Sequence, residues 1–106
     1  MVSFDDFKKI DLRIARITEV QEHPNADRLY LIAIEIGDKQ KQVVAGLKGH
    51  YSPEELKGKE VVVVDNLEPA TIRGIKSEGM ILAAQGDEKI AIIVPEKEVK
   101  TGSLIK

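Results

Sequence analysis

Apolar residues along this chain alternate with polar ones in short runs, and the runs are separated by turn-forming residues. That rhythm predicts β-strands joined by tight connections. Ile10 to Gln21 reads as one long strand. Leu12 and Ile14 keep its alternation, but Ile17 and Val20 leave that phase. A one-residue slip near Ala15–Arg16 turns the apolar face back inward, as a β-bulge does, and a long barrel strand needs such a bend. His23-Pro-Asn-Ala-Asp27 is turn chemistry: proline presets φ, and Asn25 and Asp27 can bond their own backbone. Arg28 then opens a second strand, Leu29 to Ile36. Gly37-Asp38 folds that strand into a hairpin with Gln40 to Ala45. Val61 to Val64 is a β-branched run that reads as buried on both sides or nearly so. Met80 to Ala84 and Ile90 to Val94 are the last strands, with Gln85-Gly-Asp87 as the turn between them and Pro95 as the stop.

Two short segments have the helical rather than the strand signature. Ser3 can cap the first amides of a helix whose opening turn holds Asp5 and Asp6. Phe4 and Phe7 fall on one face of it at i, i+3. That helix either plugs one end of a barrel or serves in dimerisation. Ser52-Pro-Glu-Glu55 is a capping box with proline at the first helical position, and Gly58 ends the segment. The tail from Glu96 is polar until Leu104-Ile105, which either pack back or pair with a second subunit.

This order predicts an all-β fold: an OB-fold β-barrel of five to six strands with a short N-terminal helix, a small helix between strands three and four, and a C-terminal extension. Periodicity alone leaves an SH3-like barrel open. A chain of 106 residues suits one domain spanning 1–106 with one unstapled core. With no cysteine there is no disulfide, thiolate metal site or cysteine nucleophile. No apolar run approaches a membrane span, and the acidic N-terminal stretch is unlike a signal peptide, so a cytoplasmic setting is expected. Charged residues at 32%, with abundant Lys, Glu, Ile and Val, form a pattern seen in thermophile proteins.

The formal charge of −2 argues mildly against nucleic acid. Its distribution softens that: residues 39–76 carry seven basic and five acidic side chains, against five and eight in residues 1–38. The two histidines stand in separate loops with no ligand spacing, so no metal and no cofactor is expected. No spacing suggests a serine–histidine nucleophile, and no Gly-rich phosphate loop precedes a helix. Catalysis is therefore not expected. The stretch Asn66 to Ala84 carries the remaining chemistry. An RNA surface uses cations for phosphates, amides and hydroxyls for bases or the 2′-OH, and flat or soft side chains for stacking. Arg28, Asn66, Arg73, Lys76 and Ser77 supply the polar part. Stacking is poor, with two tyrosines and no tryptophan, which favours recognition of RNA shape and backbone. The same residues also read as architecture: Asn66 closing a turn, Gly74 a bulge, Gly79 a close backbone approach, Arg73 and Lys76 a solvated loop, Met80 core.

Three segments carry a resemblance: DLRIARITEVQEHPNADRLY (11–30), VVAGLKGHYSPEELKGKEVVVVDNL (43–67) and IRGIKSEGMILAA (72–84). Together HPxAD-(K/R)-LY, NLxP and RGxxSxGM resemble the tRNA-binding OB domain appended to, or associated with, aminoacyl-tRNA synthetases. The likeness is to the methionyl-tRNA synthetase β subunit and C-terminal domain, and to stand-alone tRNA-binding proteins. It implies a non-catalytic homodimer that binds the tRNA body near its outer corner, with little sequence preference, and assists a methionyl-tRNA synthetase catalytic chain. Carried over, it implies tRNA contacts from Arg28, Asn66, Arg73, Ser77 and Met80, with Lys76 inside the motif at a variable position. Where many members have a basic pair after the NLxP proline, this chain has Ala70-Thr71, so its affinity is expected either to be lower or to lean on Lys48 and Arg28. The reading from another class is a protein-interaction module that docks a synthetase and has little RNA affinity.

Overall fold

The computed structural model describes residues 1–106. In chain order the elements are α1 (Phe4–Phe7), β1 (Leu12–Glu22), β2 (Tyr30–Ile36), β3 (Lys39–Ala45), α2 (Pro53–Leu56), β4 (Glu60–Val64), β5 (Ala70–Ile72), β6 (Ile75–Ser77), β7 (Met80–Ile81), β8 (Ala83–Gln85) and β9 (Ile90–Ile92). Five strands form one antiparallel sheet in the order β3-β2-β1-β4-β7, and β5–β6 and β8–β9 are separate hairpins. The sheet curls into an OB-type barrel, the predicted fold.

β2 alternates strictly, with Tyr30, Ile32, Ile34 and Ile36 buried and the residues between them half-buried. With Ala15, Ile17, Val43, Val61, Val63 and Leu56 they belong to a core of 13 buried side chains. Burying each isoleucine contributes about 1.5–3 kcal/mol.

The bulge lies further along β1 than expected. Pairing with β2 shifts register between Ile17 and Glu19, so Thr18 is the extra residue, and its hydroxyl donates to the Ala33 carbonyl at 3.2 Å. The earlier placement fails because Ile14 is buried on the opposite face of β1 from Ala15 and Ile17. The C-terminal tail accounts for this. It runs along the first half of β1, with Gly102 N–H donating to Ile14 O at 2.7 Å, Ile14 N–H to Ser103 O at 3.0 Å and Ile105 N–H to Leu12 O at 2.9 Å. The Leu104–Ile105 segment therefore packs back.

α2 has the full capping box, and its Leu56 is completely buried in the core. α1 has its Ser3 cap but buries nothing, with Phe4 at 72% and Phe7 at 38% exposure. The plug is α2, not α1.

The predicted strand Met80 to Ala84 is broken at Leu82. β7 pairs with β4, after which the chain turns into the β8–β9 hairpin. Leu82 bridges the two, donating to Val62 O at 2.9 Å and accepting from Ile93 N–H at 3.1 Å. β9 ends at Ile92 rather than Val94.

The barrel closes where β3 meets the segment joining β6 to β7, and side chains make much of that seam. Glu78 N–H donates to Gln42 O at 2.8 Å, and its carboxylate accepts from Gln42 N–H at 3.2 Å. The Ser77 hydroxyl accepts from Val44 N–H at 2.9 Å and donates to Gly79 O at 3.1 Å. Gly79 passes so close to β4 that a Cβ there would lie 3.0 Å from Val64 O. The expected close approach is thus real.

Candidate nucleic-acid interface

The segment expected to be a plain loop after Pro69 is a hairpin. β5 and β6 pair Ala70 with Ser77, Thr71 with Lys76 and Ile72 with Ile75, leaving Arg73 and Gly74 as a two-residue turn. Both turn residues have positive φ, 52° and 88°, as a type I′ turn requires. Glycine tolerates this freely, but an arginine in the left-handed region costs on the order of 1 kcal/mol. Arg73 is the only non-glycine residue so placed.

The turn at 23–27 holds the strained tip. His23 is buried, and its Nδ1 accepts from Asn25 N–H at 2.9 Å. The proton then sits on Nε2, which donates to Ile72 O at 3.0 Å. The Asn25 side chain donates to Arg73 O at 3.3 Å. Two loops far apart in sequence are thereby latched into one edge, with Arg28 closing one and Arg73 at the tip of the other.

The arginines divide cleanly. Arg13 pairs with Asp11 at 2.7 Å and Arg16 with Glu60 at 3.4 Å, both within or beside β1. Arg28 and Arg73 are exposed and have no ion-pair partner, and neither does Lys76. Lys76 faces Thr71 across the hairpin, so a cation stands opposite one of the two neutral positions on β5.

Other cations are already engaged. Lys48 is bound to Glu22, and that hydrogen bond holds its ammonium above the ordinary value despite opposing desolvation. Lys39 and Lys41 approach the buried Asp65 carboxylate at 2.6 and 2.7 Å. The Lys41 contact is an ion pair without hydrogen-bond alignment to that oxygen, and Lys41 instead donates to Asp65 O at 2.9 Å. Burial pushes the Asp65 carboxyl up, but the two ammonium groups more than reverse this and hold it below the ordinary carboxylate range.

Of the residues expected to face RNA, Arg28, Arg73, Lys76 and Met80 are exposed, Met80 by 47%. Met80 is not core. Asn66 and Ser77 differ. The Asn66 amide accepts from Asp11 N–H at 2.8 Å and donates to Lys9 O at 2.7 Å, tying the α1–β1 link to the end of β4. Ser77 is 4% exposed and holds the barrel seam. Those bonds give both side chains a role in the fold, while Asn66 stays exposed at the surface. The sequence reading missed His23 and Asn25 as the latch. His23 reads as an ordinary turn residue, and only its burial beside the Ile72 carbonyl reveals its use.

Fold and site together define a small OB barrel with an unpaired cationic edge built from two latched loops. A family model described as "Putative tRNA binding domain" matches residues 12–104, and the chain belongs to that family. It is 54% identical over 105 residues to the methionine–tRNA ligase of Thermococcus kodakarensis, covering 99% of this chain and 14% of that protein. The chain thus spans about one seventh of that relative's length. A methionyl-tRNA-synthetase-related protein from Pyrococcus horikoshii has the same fold, with a TM-score of 0.93 at 25% identity over 100% of this chain and 98% of that one. The CsaA chaperone protein from Picrophilus torridus superposes with a TM-score of 0.93 at 29% identity, covering both chains completely.

Proposed function

We propose that this chain binds tRNA through the edge formed by Arg28, Arg73 and Lys76, without catalysis of its own, and holds the tRNA body for a methionyl-tRNA synthetase catalytic chain. One observation carries the reading: the two arginines not used inside the fold sit on loops latched by His23 and Asn25, one of them at a strained φ of 52°. Strain of this kind persists only where surrounding contacts fix it, and here it points a free guanidinium outward. Rigidly placed cations without aromatic platforms suit phosphate positioning on a folded RNA better than reading of single strands. Family membership and the methionine–tRNA ligase relative support tRNA and a synthetase as partners. The setting that follows is the cytoplasm.

The edge is small, so a second copy is part of the proposal. α1 presents an exposed Phe4 and a partly exposed Phe7, and Ile10 beyond it is 47% exposed. A second copy covering this face gives a homodimer with two edges, and linked sites raise the effective concentration of the second contact. Light scattering on wild type and a Phe4→Ser/Phe7→Ser variant checks this, with a dimer becoming a monomer as the expected result.

A salt series of titrations with folded tRNA, duplex RNA and a single-stranded oligomer tests the main reading. Salt-steep binding to folded tRNA above the other two is expected. The neutral Ala70-Thr71 pair and the Glu22-engaged Lys48 favour the second reading, a module that docks a synthetase with little RNA affinity. Absence of RNA binding together with capture of a synthetase chain establishes that reading instead.

A further inference from the structure

Beside the cationic edge lies an apolar groove that phosphate binding does not use. Val44, Leu47, Met80, Ile81, Gln85 and Ile90 are among its lining residues, around a volume of about 370 Å³. That is at the lower limit of small-ligand clefts, about 300–1,000 Å³. Gln85 is its one polar side chain. The groove shares Gly46 and Ile90 with a cleft lined by Asp27, Arg28, His50 and the Glu22-paired Lys48. An apolar groove with one amide therefore adjoins a cleft whose unpaired cation is Arg28.

We infer that this groove receives one unpaired nucleobase of the bound RNA while Arg28 holds a phosphate that flanks it. The inference rests on the proposed tRNA binding and adds a base-contacting site to it. Three observations select this occupant. First, a nucleobase has apolar faces, a polar edge and an attached anionic backbone, and the groove, Gln85 and the unpaired Arg28 meet these in that order. An unfolded apolar peptide has no need of the cation. Second, no aromatic ring lines the groove: Tyr30 is buried and Tyr51 is half-buried against the core. Tyr30 is 4% exposed with its hydroxyl donating to Tyr51 O at 2.8 Å, and the Tyr51 hydroxyl accepts from Ile92 N–H at 3.2 Å. The exposed thioether of Met80 is the soft surface that remains, and methionine sulfur packs well on aromatic rings. Third, the groove has the volume of a small-ligand cleft, and a splayed-out base is the form in which proteins read RNA bases.

The test uses the whole chain with isotope-labelled methyl groups on methionine and isoleucine, a folded tRNA transcript, a single-stranded adenosine tetranucleotide and a duplex of equal length. The methyl resonances of Met80 and Ile90 should shift with the tRNA and the tetranucleotide but not with the duplex. Met80→Ala should weaken tRNA binding roughly five- to tenfold, the low end for stacking because the platform is aliphatic. The slope of log K against log salt should be unchanged, because no phosphate contact is lost. Ala83→Glu, which puts a charge on an exposed wall of the groove, should do the same if Met80→Ala disturbs the strand. If tRNA binds and depends on Arg73 while both methyl signals stay silent, the slot is wrong and the tRNA reading stands. If tRNA does not bind at all, the underlying reading fails with it. Shifts caused by an apolar peptide but by no oligonucleotide make the groove a protein-docking site and overturn the proposal.

Discussion

The tip and the base of one hairpin do opposite things. At the tip, Arg73 is exposed, unpaired and strained, and its backbone rather than its side chain is tied down. At the base, Ser77, Glu78 and Gly79 are half-buried or buried and joined to β3 and β4. The motif RGIKSEGM covers both ends. A single motif can therefore contain a ligand edge and the seam that aims it. Residues that recur together in a pattern need not share a role.

The base should show the largest effects. Asp65 belongs with it, since it draws Lys39 and Lys41 of β3 to the end of β4. Asp65→Asn should lower stability by about 2–3 kcal/mol at neutral pH, below the full penalty for breaking a buried pair because Lys39 is more than half exposed. Its folded-state pKa lies below the ordinary 3.8. The stabilisation is therefore complete above roughly pH 4 and is lost as pH falls through the folded value. Urea unfolding at pH 7 and pH 3 checks both points, and the variant should show less loss of stability on acidification than wild type. Ser77→Ala should cost about 1–3 kcal/mol by leaving the Val44 amide unpaired, which is several degrees in Tm for a domain this size. The folded fraction should keep its tRNA affinity.

The tip should show the reverse pattern. Arg73→Gly should weaken tRNA binding several-fold and reduce the salt slope by about 0.9. It should also raise stability by up to about 1 kcal/mol, because glycine relieves the positive φ. Arg73→Ala should weaken binding equally with Tm unchanged, since alanine keeps the strain. The smallest effect is expected at Glu22. Glu22→Gln frees Lys48 and removes a negative charge beside the edge, so affinity should rise about two- to fivefold with a steeper salt slope. Fluorescence titration at two salt concentrations separates these outcomes.

Much of the barrel was legible because burial in strands leaves a period-two record. β2, the β-branched β4 and the capping box of α2 could be read directly from residue order. What misled the reading was burial by distant chain. Ile14 resembles its neighbours in β1, but the tail residues 102–105 cover it from the other side, which displaced the predicted bulge by two to three residues. The β5–β6 hairpin was hidden because its turn is Arg-Gly, without the Asn-Gly or Asp-Gly that normally announces a type I′ turn. The candidate site was half legible. Cationic residue types pointed to Arg28, Arg73 and Lys76, but nothing local distinguishes them from Lys48, which is engaged by Glu22 from 26 residues away. Likewise, nothing local in Asn66 and Ser77 announces their partners on the α1–β1 link and β3.

The most direct test of the central claim is the salt dependence of folded-tRNA binding by wild type and an Arg28→Gln/Arg73→Gly variant. If the latched loops are the phosphate edge, the variant loses at least tenfold in affinity at low salt and its log K against log salt slope is shallower by about two, with Tm no lower than wild type. Equal affinity and equal slope in the two proteins would contradict the account.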